Sequence, residues 1–264
     1  MLAPNRRHLQ YKRSQLWALD GICSGASHQA VHLDVVRPIL LFLLLSGLSL
    51  LCLLPGKDYP AWKAIGPHGG SARAVVVDQY NPETVLVLAM RGSSVYRSRN
   101  GAQSWEYLKG FPQLPETRLD AALIVHDPKP VWLVGVAPGG IMRSGDEGDS
   151  WQLVSGTEAL SVYALGSWPK DQRILAAGTN RGVWLSHDTG RSWRRASPAA
   201  NRDLESIVSV AFHPTLAGTL YAGTPHLPWK SSDGGATWKK IATGMFDDSD
   251  IFSIAIDPKE PGRV

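Results

Sequence analysis

The sequence predicts an all-β protein assembled from about four copies of one repeat, and three observations support this. The 264 residues include 26 Gly, 18 Pro and 10 Trp, a composition typical of short strands, tight turns and large aromatic fillers. No helical periodicity is found beyond residue 56. Two sequence markers recur in register at a period of about 45 residues.

The first marker is an eight-residue motif with the pattern Ser-x-Asp-x-Gly-x-Ser/Thr-Trp. It occurs as SGDEGDSW (144–151), SHDTGRSW (186–193) and SSDGGATW (231–238), and in a divergent form as SRNGAQSW (98–105), which carries its glycine at Gly101. The four tryptophans are 46, 42 and 45 residues apart. The motif positions are Ser98, Asn100 and Trp105; Ser144, Asp146, Gly148 and Trp151; Ser186, Asp188, Gly190 and Trp193; and Ser231, Asp233, Gly235 and Trp238.

The second marker is a proline that lies 16 or 17 residues before each motif serine. These prolines are Pro82, Pro128, Pro169 and Pro214. Two markers that keep the same spacing in four copies define an internal repeat. A period near 45 residues is that of a four-stranded β-propeller blade.

Each repeat divides into four predicted strands, with the motif as the turn between the third and the fourth. In the last complete repeat these strands are 206–213, 219–224, 227–231 and 237–242. Pro228 suits only the start or the edge of a strand. Residues 251–257, IFSIAID, predict the first strand of a fifth repeat. We therefore expect four complete blades plus one strand of a longer propeller, truncated here; a four-bladed ring is the alternative.

The residue types of the motif suit a turn better than a reactive site. We expect Asp146 to accept hydrogen bonds from the amides that follow it, and Ser144 and Ser150 to satisfy other turn amides. Gly148 supplies a residue that tolerates positive φ, and Trp151 is expected to be buried between neighbouring blades.

A calcium or catalytic role of the motif is disfavoured. A calcium loop of the EF-hand type counted from Asp146 would need Glu at its twelfth position, where Thr157 stands. Copies spread around a ring also cannot converge on one substrate. We predict no catalytic residue, no metal site and no cofactor in this chain.

The N-terminal part differs from the repeats in charge and hydropathy. Residues 1–37 contain five Lys or Arg and two Asp, and residues 39–54 are an uncharged apolar run within a predicted helix over 38–56. That run is short for a spanning helix and suits a secretory leader. For residues 38–56, a cleaved signal peptide and an uncleaved anchor are both open. Residues 1–37 are either a disordered segment or the result of a misassigned start.

This N-terminal pattern also sets the expected location of the main domain, residues 60–264. We expect it outside the cytoplasm, either periplasmic or secreted, or held at the membrane through residues 39–54 with its N-terminus inside. The two cysteines, Cys23 and Cys52, precede this domain, so it contains no disulfide. The basic residues lie beside an apolar run and not on a repeat, which argues against a nucleic-acid partner.

The motif resembles the Asp-box, or BNR repeat, of sialidase-like β-propellers, and the resemblance covers roughly residues 60–264. The segment that begins at Ala61, AWKAIGPHGGSARAVVVDQYNPE, is also similar to the start of sortilin-like and photosystem II assembly-factor-like propellers. The sialidase resemblance implies three arginines, an acid/base Asp and a Tyr–Glu pair, and these residues cannot be matched here. Xyloglucanase-type relatives imply a catalytic Asp where this chain has LAMRGSSVY (88–96).

Two functions follow as hypotheses. The leading one is an exported or membrane-anchored scaffold whose propeller face binds a protein or a glycan; an enzymatic activity is disfavoured but stays open. The alternative is the N-terminal portion of a sialidase- or xyloglucanase-like glycoside hydrolase, which needs two nearby carboxylates. The loop acids available for that role are Asp120, Glu158, Glu205, Asp247, Asp248 and Asp250. Four basic residues after the motif tryptophans are expected to face solvent: Arg194, Arg195, Lys239 and Lys240.

Overall fold

Four sheets of four antiparallel strands make up the fold, in a computed structural model that describes residues 64–67, 71–90, 92–246 and 249–264. All these residues belong to one unit, Lys63–Val264. In every sheet the strands follow chain order, each hydrogen-bonded to the next. Each sheet is therefore one up-and-down blade, and the predicted N-terminal helix over 38–56 lies outside the described residues.

The first two blades contain strands β1 to β8. Blade 1 consists of β1 Ala72–Val77, β2 Val85–Ala89, β3 Val95–Ser98 and β4 Glu106–Tyr107. Blade 2 consists of β5 Arg118–His126, β6 Pro130–Ala137, β7 Gly140–Ser144 and β8 Gln152–Leu153.

The other two blades contain strands β9 to β16. Blade 3 consists of β9 Val162–Trp168, β10 Asp171–Thr179, β11 Gly182–Ser186 and β12 Arg194–Arg195. Blade 4 consists of β13 Ser209–Phe212, β14 Leu220–Gly223, β15 Pro228–Ser231 and β16 Lys239–Lys240. A 3-10 turn, Arg202–Leu204, precedes blade 4.

The first strands β1, β5, β9 and β13 adjoin one another in succession, so they surround the axis of a β-propeller. Because the strands alternate in direction, the turns sort onto two faces. The motif face carries the turns between strands one and two and between strands three and four. The opposite face carries the turns between strands two and three and the connections from one blade to the next.

Apolar side chains from adjacent blades form a core cluster at each blade interface. Between blades 1 and 2, Leu86 and Leu88 pack with Trp132 and Val134, all fully buried. Comparable clusters join blades 2 and 3 and blades 3 and 4. Burial of such side chains contributes roughly 1.5–3 kcal/mol each relative to exposure, so the blade interfaces hold the fold together.

Three glycines allow each second strand to touch the blade that follows. Gly135, Gly178 and Gly223 lie in β6, β10 and β14, and a Cβ at each would meet Val162, Ile207 and Ile251 respectively. Val162 begins the first strand of blade 3, and Ile207 leads into that of blade 4. Ile251, which follows blade 4, lies against Gly223 as Ile207 lies against Gly178. The Ile251 amide donates to the carbonyl of Thr224 over 3.1 Å.

The predicted all-β class and the four-stranded repeat are confirmed, and the differences lie at strand ends. The fourth strands are only two residues long, because the motif turn and the next connection leave little chain for pairing. The predicted strand 206–213 starts at Ser209, since the amide of Ile207 bonds to blade 3 at Thr179 instead. Residues 251–257 form no strand ladder, although they start in the position of a first strand.

The described residues contain no helix long and apolar enough to cross a membrane. The apolar run 39–54 lies outside them.

Candidate functional site

The motif turns share one hydrogen-bond pattern, centred on the carboxylate of the motif. Asp146 accepts from Ser144 Oγ at 2.7 Å, from the Ser150 amide at 2.9 Å and from Ser150 Oγ at 2.5 Å. Ser144 Oγ in turn accepts from the amide of Gly148 at 2.8 Å. Asp188 and Asp233 are held in the same way. Every oxygen of these carboxylates is thus engaged within its own turn.

Two expectations for individual motif residues need refinement. Ser150 Oγ donates to Asp146, and the amide that the turn satisfies is that of Ser150 itself, which donates to Asp146 Oδ1. Trp151 is half-buried: its Nε1 donates to the Gly148 carbonyl, and its ring packs edge-on against Phe111 at 5.1 Å. Trp193 and Trp238 likewise pack against the cluster shared with the preceding blade.

The divergent copy in blade 1 keeps the turn with different atoms. Asn100 Oδ1 accepts from the Ser104 amide at 2.9 Å, and Asn100 Nδ2 donates to Ser104 Oγ at 2.8 Å. Ala102 occupies the place of Gly148 with φ of 67°. Trp105 Nε1 donates to the Ile65 carbonyl and not to its own turn. The Asn100 amide therefore makes the same contacts as the carboxylate of Asp146 with one difference. Asn100 Nδ2 donates to the serine hydroxyl, whereas the carboxylate accepts from it.

The motif carboxylates are ionised well below neutral pH. Burial raises the pKa of Asp146 and of Asp188, but the hydrogen bonds from Ser150, Ser144, Ser192 and Ser186 outweigh burial, so both pKa values are lowered. Hydrogen bonds from Thr237 and Ser231 lower the pKa of Asp233 to about 2. Such acids are not proton donors near neutral pH.

Arginines that precede the motif serine link each of the first two blades to the motif turn of the next. Arg97 of β3 is 2% exposed, and its Nη1 donates to the Glu147 carbonyl at 2.5 Å and to Asp149 at 3.0 Å. Its Nη2 lies 2.7 Å from Glu106 on its own blade. We call this contact the arginine clamp. It connects residues that are 50 positions apart in the sequence.

A second arginine clamp joins blades 2 and 3, and the equivalent positions in blades 3 and 4 are not arginine. Arg143 of β7 donates to the Thr189 carbonyl of blade 3 at 3.1 Å, and burial lowers the pKa of Arg143. In β11 the same register position is Leu185, and in β15 it is Lys230. The interface between blades 3 and 4 therefore lacks the cation that the two preceding interfaces have.

On the opposite face, the first strands of blades 1 to 3 each contain a bulge at the same place. The strand register shifts around Arg73 in β1, Asp120 in β5 and Tyr163 in β9. A bulge adds one unpaired residue and redirects its side chain. Because the first strands surround the axis, one extra side chain per blade is presented near the centre of this face.

Two of these bulge residues, Arg73 and Asp120, form the candidate functional site together with Arg118. We call these three residues the rim cluster. Arg73 Nε lies 3.0 Å from Asp120 Oδ1, and Arg118 Nη2 lies 3.0 Å from Asp120 Oδ2. The side chain of Asp120 is 1% exposed, whereas those of Arg73 and Arg118 are 47% and 63% exposed.

The rim cluster suits binding better than acid–base chemistry. Both oxygens of Asp120 are acceptors in ion pairs, so this carboxylate is not free to meet a substrate. The two guanidinium groups and the Asp120 carboxylate together carry one net positive charge, and both arginine side chains remain about half exposed. Guanidinium groups bind carboxylates and other oxygen acceptors through such forks.

The other loop acids do not assemble into a pair. Glu158 accepts from the amide of Gly156 at 3.0 Å, Glu205 and Asp250 are exposed, and Asp247 and Asp248 lie outside the described residues. Within the described ranges, no hydrogen bond or ion pair brings two of these carboxylates together. The same ranges contain no group of three or more His, Cys, Asp or Glu placed to hold a metal ion.

A polar network on the motif face was not anticipated from the sequence. His126 Nε2 lies 2.9 Å from both carboxylate oxygens of Asp78, and its ring meets Tyr80 edge-on at 4.7 Å. Gln172 accepts from the His126 amide at 2.6 Å and donates to the Tyr80 hydroxyl at 3.2 Å. The network joins blades 1, 2 and 3. Its sequence signal was weak: Tyr80 and His126 each lie 18 residues before a motif serine, but Asp78 and Gln172 do not share this spacing.

The expectation for the basic residues after the motif tryptophans is wrong in one case. Arg194, Lys239 and Lys240 are exposed. Arg195 is half-buried, and its Nε and Nη2 are buried with no hydrogen-bond partner. It pairs with Trp184 across β11 and β12, which places it on the face directed towards blade 2.

Comparisons with known proteins agree on the architecture. No protein-family model matches the chain. The oligoxyloglucan-reducing end-specific xyloglucanase of Emericella nidulans is 26% identical in a match that covers 44% of this chain and 18% of that enzyme. The chain therefore spans less than a fifth of the length of this relative.

Solved structures extend the agreement. An ancestral GH74 enzyme matches with a TM-score of 0.61 and 17% identity, over 72% of this chain and 28% of that one. The extracellular domain of BT4673 from B. thetaiotaomicron gives 0.53 and 16%, over 68% and 24%. YCF48 from Cyanidioschyzon merolae gives 0.50 and 15%, over 73% and 63%. At these identities the similarity shows the fold alone, which is a β-propeller.

Proposed function

We propose that this chain is a β-propeller scaffold whose opposite face binds a protein or a glycan through the rim cluster. The supporting observation is the pairing of Asp120 with both Arg73 and Arg118. This pairing holds two half-exposed guanidinium groups near the axis. It also engages both oxygens of the buried Asp120 carboxylate, which is therefore not available as a catalytic acid or base. A ligand with carboxylate, carbonyl or hydroxyl oxygens complements these donors.

We further propose that the four motif turns are Asp-boxes and are structural. In the three copies that contain Asp, the acid is saturated by its own turn, and its pKa is lowered. The turns also lie on the face away from the rim cluster. With the apolar run 39–54, this assignment supports an exported or membrane-anchored location for the propeller.

A second candidate function is the N-terminal portion of a glycoside hydrolase. It is favoured by the similarity to the xyloglucanase of Emericella nidulans and by the fold of the ancestral GH74 enzyme. Hydrolysis would need a pair of carboxylates a few ångströms apart. The described residues supply single loop acids, so any such activity would depend on groups outside them.

The two proposals are separated by measuring binding and cleavage on the same sample. Xyloglucan oligosaccharides, an oligogalacturonate and an acidic peptide are titrated calorimetrically, and release of reducing ends is followed in parallel. We expect binding of at least one acceptor-rich ligand without cleavage. Arg118→Ala should weaken it about tenfold, as for the loss of one charge-assisted contact.

Arg181→Ala is the matched control, since Arg181 is exposed and outside the rim cluster. Turnover of xyloglucan by this chain would reject the scaffold and favour the hydrolase. Binding that is equally strong in Arg118→Ala and in Arg181→Ala would reject the rim cluster as the site.

A further inference from the structure

The interface between blades 3 and 4 contains an apolar cavity of about 170 Å³. Its closed end is formed by the buried side chains of Leu185, Phe212 and Leu220, and one wall is formed by Trp168 and Ile174. Its open end is marked by exposed polar residues, His187, Arg194 and Asp233.

The cavity lies at the interface where the arginine clamp is absent. Arg97 and Arg143 cross the two preceding interfaces to the carbonyls of Glu147 and Thr189. At the third interface Leu185 holds the register position of these arginines and lines the cavity, and a leucine side chain is shorter than that of arginine. The far wall is the turn contact in which the Gly234 amide donates to the Gly218 carbonyl at 2.8 Å.

The walls are held in place by contacts that do not depend on a ligand. Trp168 Nε1 donates to the His213 carbonyl of blade 4 at 3.2 Å, which bridges the two blades beside the cavity. His213 is itself buried, and its Nδ1 accepts from the Leu216 amide at 3.0 Å. The Trp168 wall of the cavity is therefore tied to both blades.

Size and lining restrict the class of ligand. An apolar protein cavity of about 150 Å³ stays dry and accepts benzene, so the volume here suits one six-membered aromatic ring. Arg194 at the mouth forms no ion pair among the described residues; its one polar contact is His187 Nε2 at 3.5 Å. A ring that carries a carboxylate would place its anion beside this guanidinium, and the Asp233 carboxylate at the same mouth already accepts hydrogen bonds from Ser231 and Thr237.

We propose that this cavity is a binding site for a single aromatic ring with an anionic substituent, as in benzoate or a C-terminal phenylalanine. The ring would contact Leu185, Phe212 and Leu220, and the carboxylate would pair with Arg194. The site is independent of the rim cluster, which lies on the opposite face.

The test uses the full chain with benzene, benzoate and the tripeptide Gly-Gly-Phe, followed by NMR. In the wild-type protein we expect saturable binding of benzoate, with nuclear Overhauser contacts from the ring protons to the methyl groups of Leu185 and Leu220. Arg194→Gln should weaken benzoate about tenfold and leave benzene unchanged. Binding of the tripeptide would identify a polypeptide end as a source of the ring; binding of benzoate alone would identify a free aromatic acid.

Two variants fill the cavity. Leu185→Phe adds a ring in place of the ligand, and Leu185→Arg restores the residue type of the first two interfaces; both should abolish benzene and benzoate binding while the far-ultraviolet circular dichroism is unchanged. Absence of ring contacts to Leu185 and Leu220 in the wild type would overturn the proposal, whether or not the variants fold. So would benzoate binding that survives in a folded Leu185→Phe.

Discussion

Gly178 of blade 3 lies directly against Ile207 of blade 4: a Cβ on residue 178 would come within 2.5 Å of the Ile207 carbonyl oxygen. The Ile207 amide is fixed in this position by its hydrogen bond to the Thr179 carbonyl at 3.0 Å. The incoming blade thus crosses the second strand at backbone distance. Any side chain at residue 178 must push the two blades apart.

We therefore expect Gly178→Ala to lower the free energy of unfolding by about 2–3 kcal/mol, the upper part of the roughly 1–3 kcal/mol that overpacking usually costs, because the nearest atom is a backbone oxygen. Urea denaturation followed by tryptophan fluorescence measures this change. Gly262→Ala is the control: the methyl group that it adds would have no neighbouring atom within 4 Å, and it should change stability by less than about 0.5 kcal/mol. Equal midpoints for the two variants would contradict the close approach.

The arginine clamps should differ in strength because they differ in partners. Arg97 has two carboxylates and one carbonyl, whereas Arg143 has one carbonyl. We expect Arg97→Ala to cost about 2 kcal/mol, because it removes the charge-assisted hydrogen bonds of a buried guanidinium whose carboxylate partners are exposed, and Arg143→Ala about 1 kcal/mol. Thermal unfolding of both variants checks the order; a larger loss in Arg143→Ala would reject the assignment.

Blade 1 provides a natural precedent for one motif substitution. Because Asn100 satisfies its turn with one acceptor and one reversed donor, Asp146→Asn should cost less than about 1 kcal/mol. Asp146→Ala removes all these contacts and should cost about 2 kcal/mol or more. Chemical denaturation of the two variants measures this difference in stability. If the Asn and Ala variants are equally destabilised, the turn requires the charge itself.

Acid should weaken the fold through the motif carboxylates. The pKa of Asp233 is about 2 in the folded chain and 3.8 ordinarily, so the unfolded chain binds the proton first. The stability that Asp233 supplies is complete above about pH 4 and is lost as the pH falls to about 2. Asp233→Asn should therefore lose less stability than the wild type over this interval.

Urea midpoints measured from about pH 5 to about pH 2 test this expectation. Asp203→Asn is the control, since Asp203 is an exposed acid outside the motif. It should follow the wild-type curve. A curve for Asp233→Asn parallel to the wild type would show that the motif acid does not set the acid sensitivity.

Much of the fold was accessible from the sequence because the repeat is local. A motif serine, its acid and its tryptophan lie within eight residues, so their pattern predicts a turn without knowledge of the rest. Strand identities within the four blades followed for the same reason, with errors at strand ends such as Ser209. Outside these blades, the predicted strand 251–257 forms no ladder. Arg195 was misplaced because its face of β12 depends on the neighbouring blade.

The candidate sites were less accessible. Arg97 and Glu147 meet across 50 residues, and Arg73 meets Asp120 across 47. No spacing in the sequence marks these pairs, and neither bulge has a distinctive residue type. The cavity beside Leu185 lies where leucine replaces the arginine of the two clamps. This replacement can be recognised only once the contacts of Arg97 and Arg143 are known.

The sequence by itself determined the blade: its four strands, its turn chemistry and its number of copies. These are set by contacts within about 45 residues, where chain connectivity fixes what can meet. The tertiary structure alone decided which blade faces touch, where arginine crosses between blades and where it does not. Those contacts depend on the curvature of the ring and on strand register, which arise only when separate blades pack against one another.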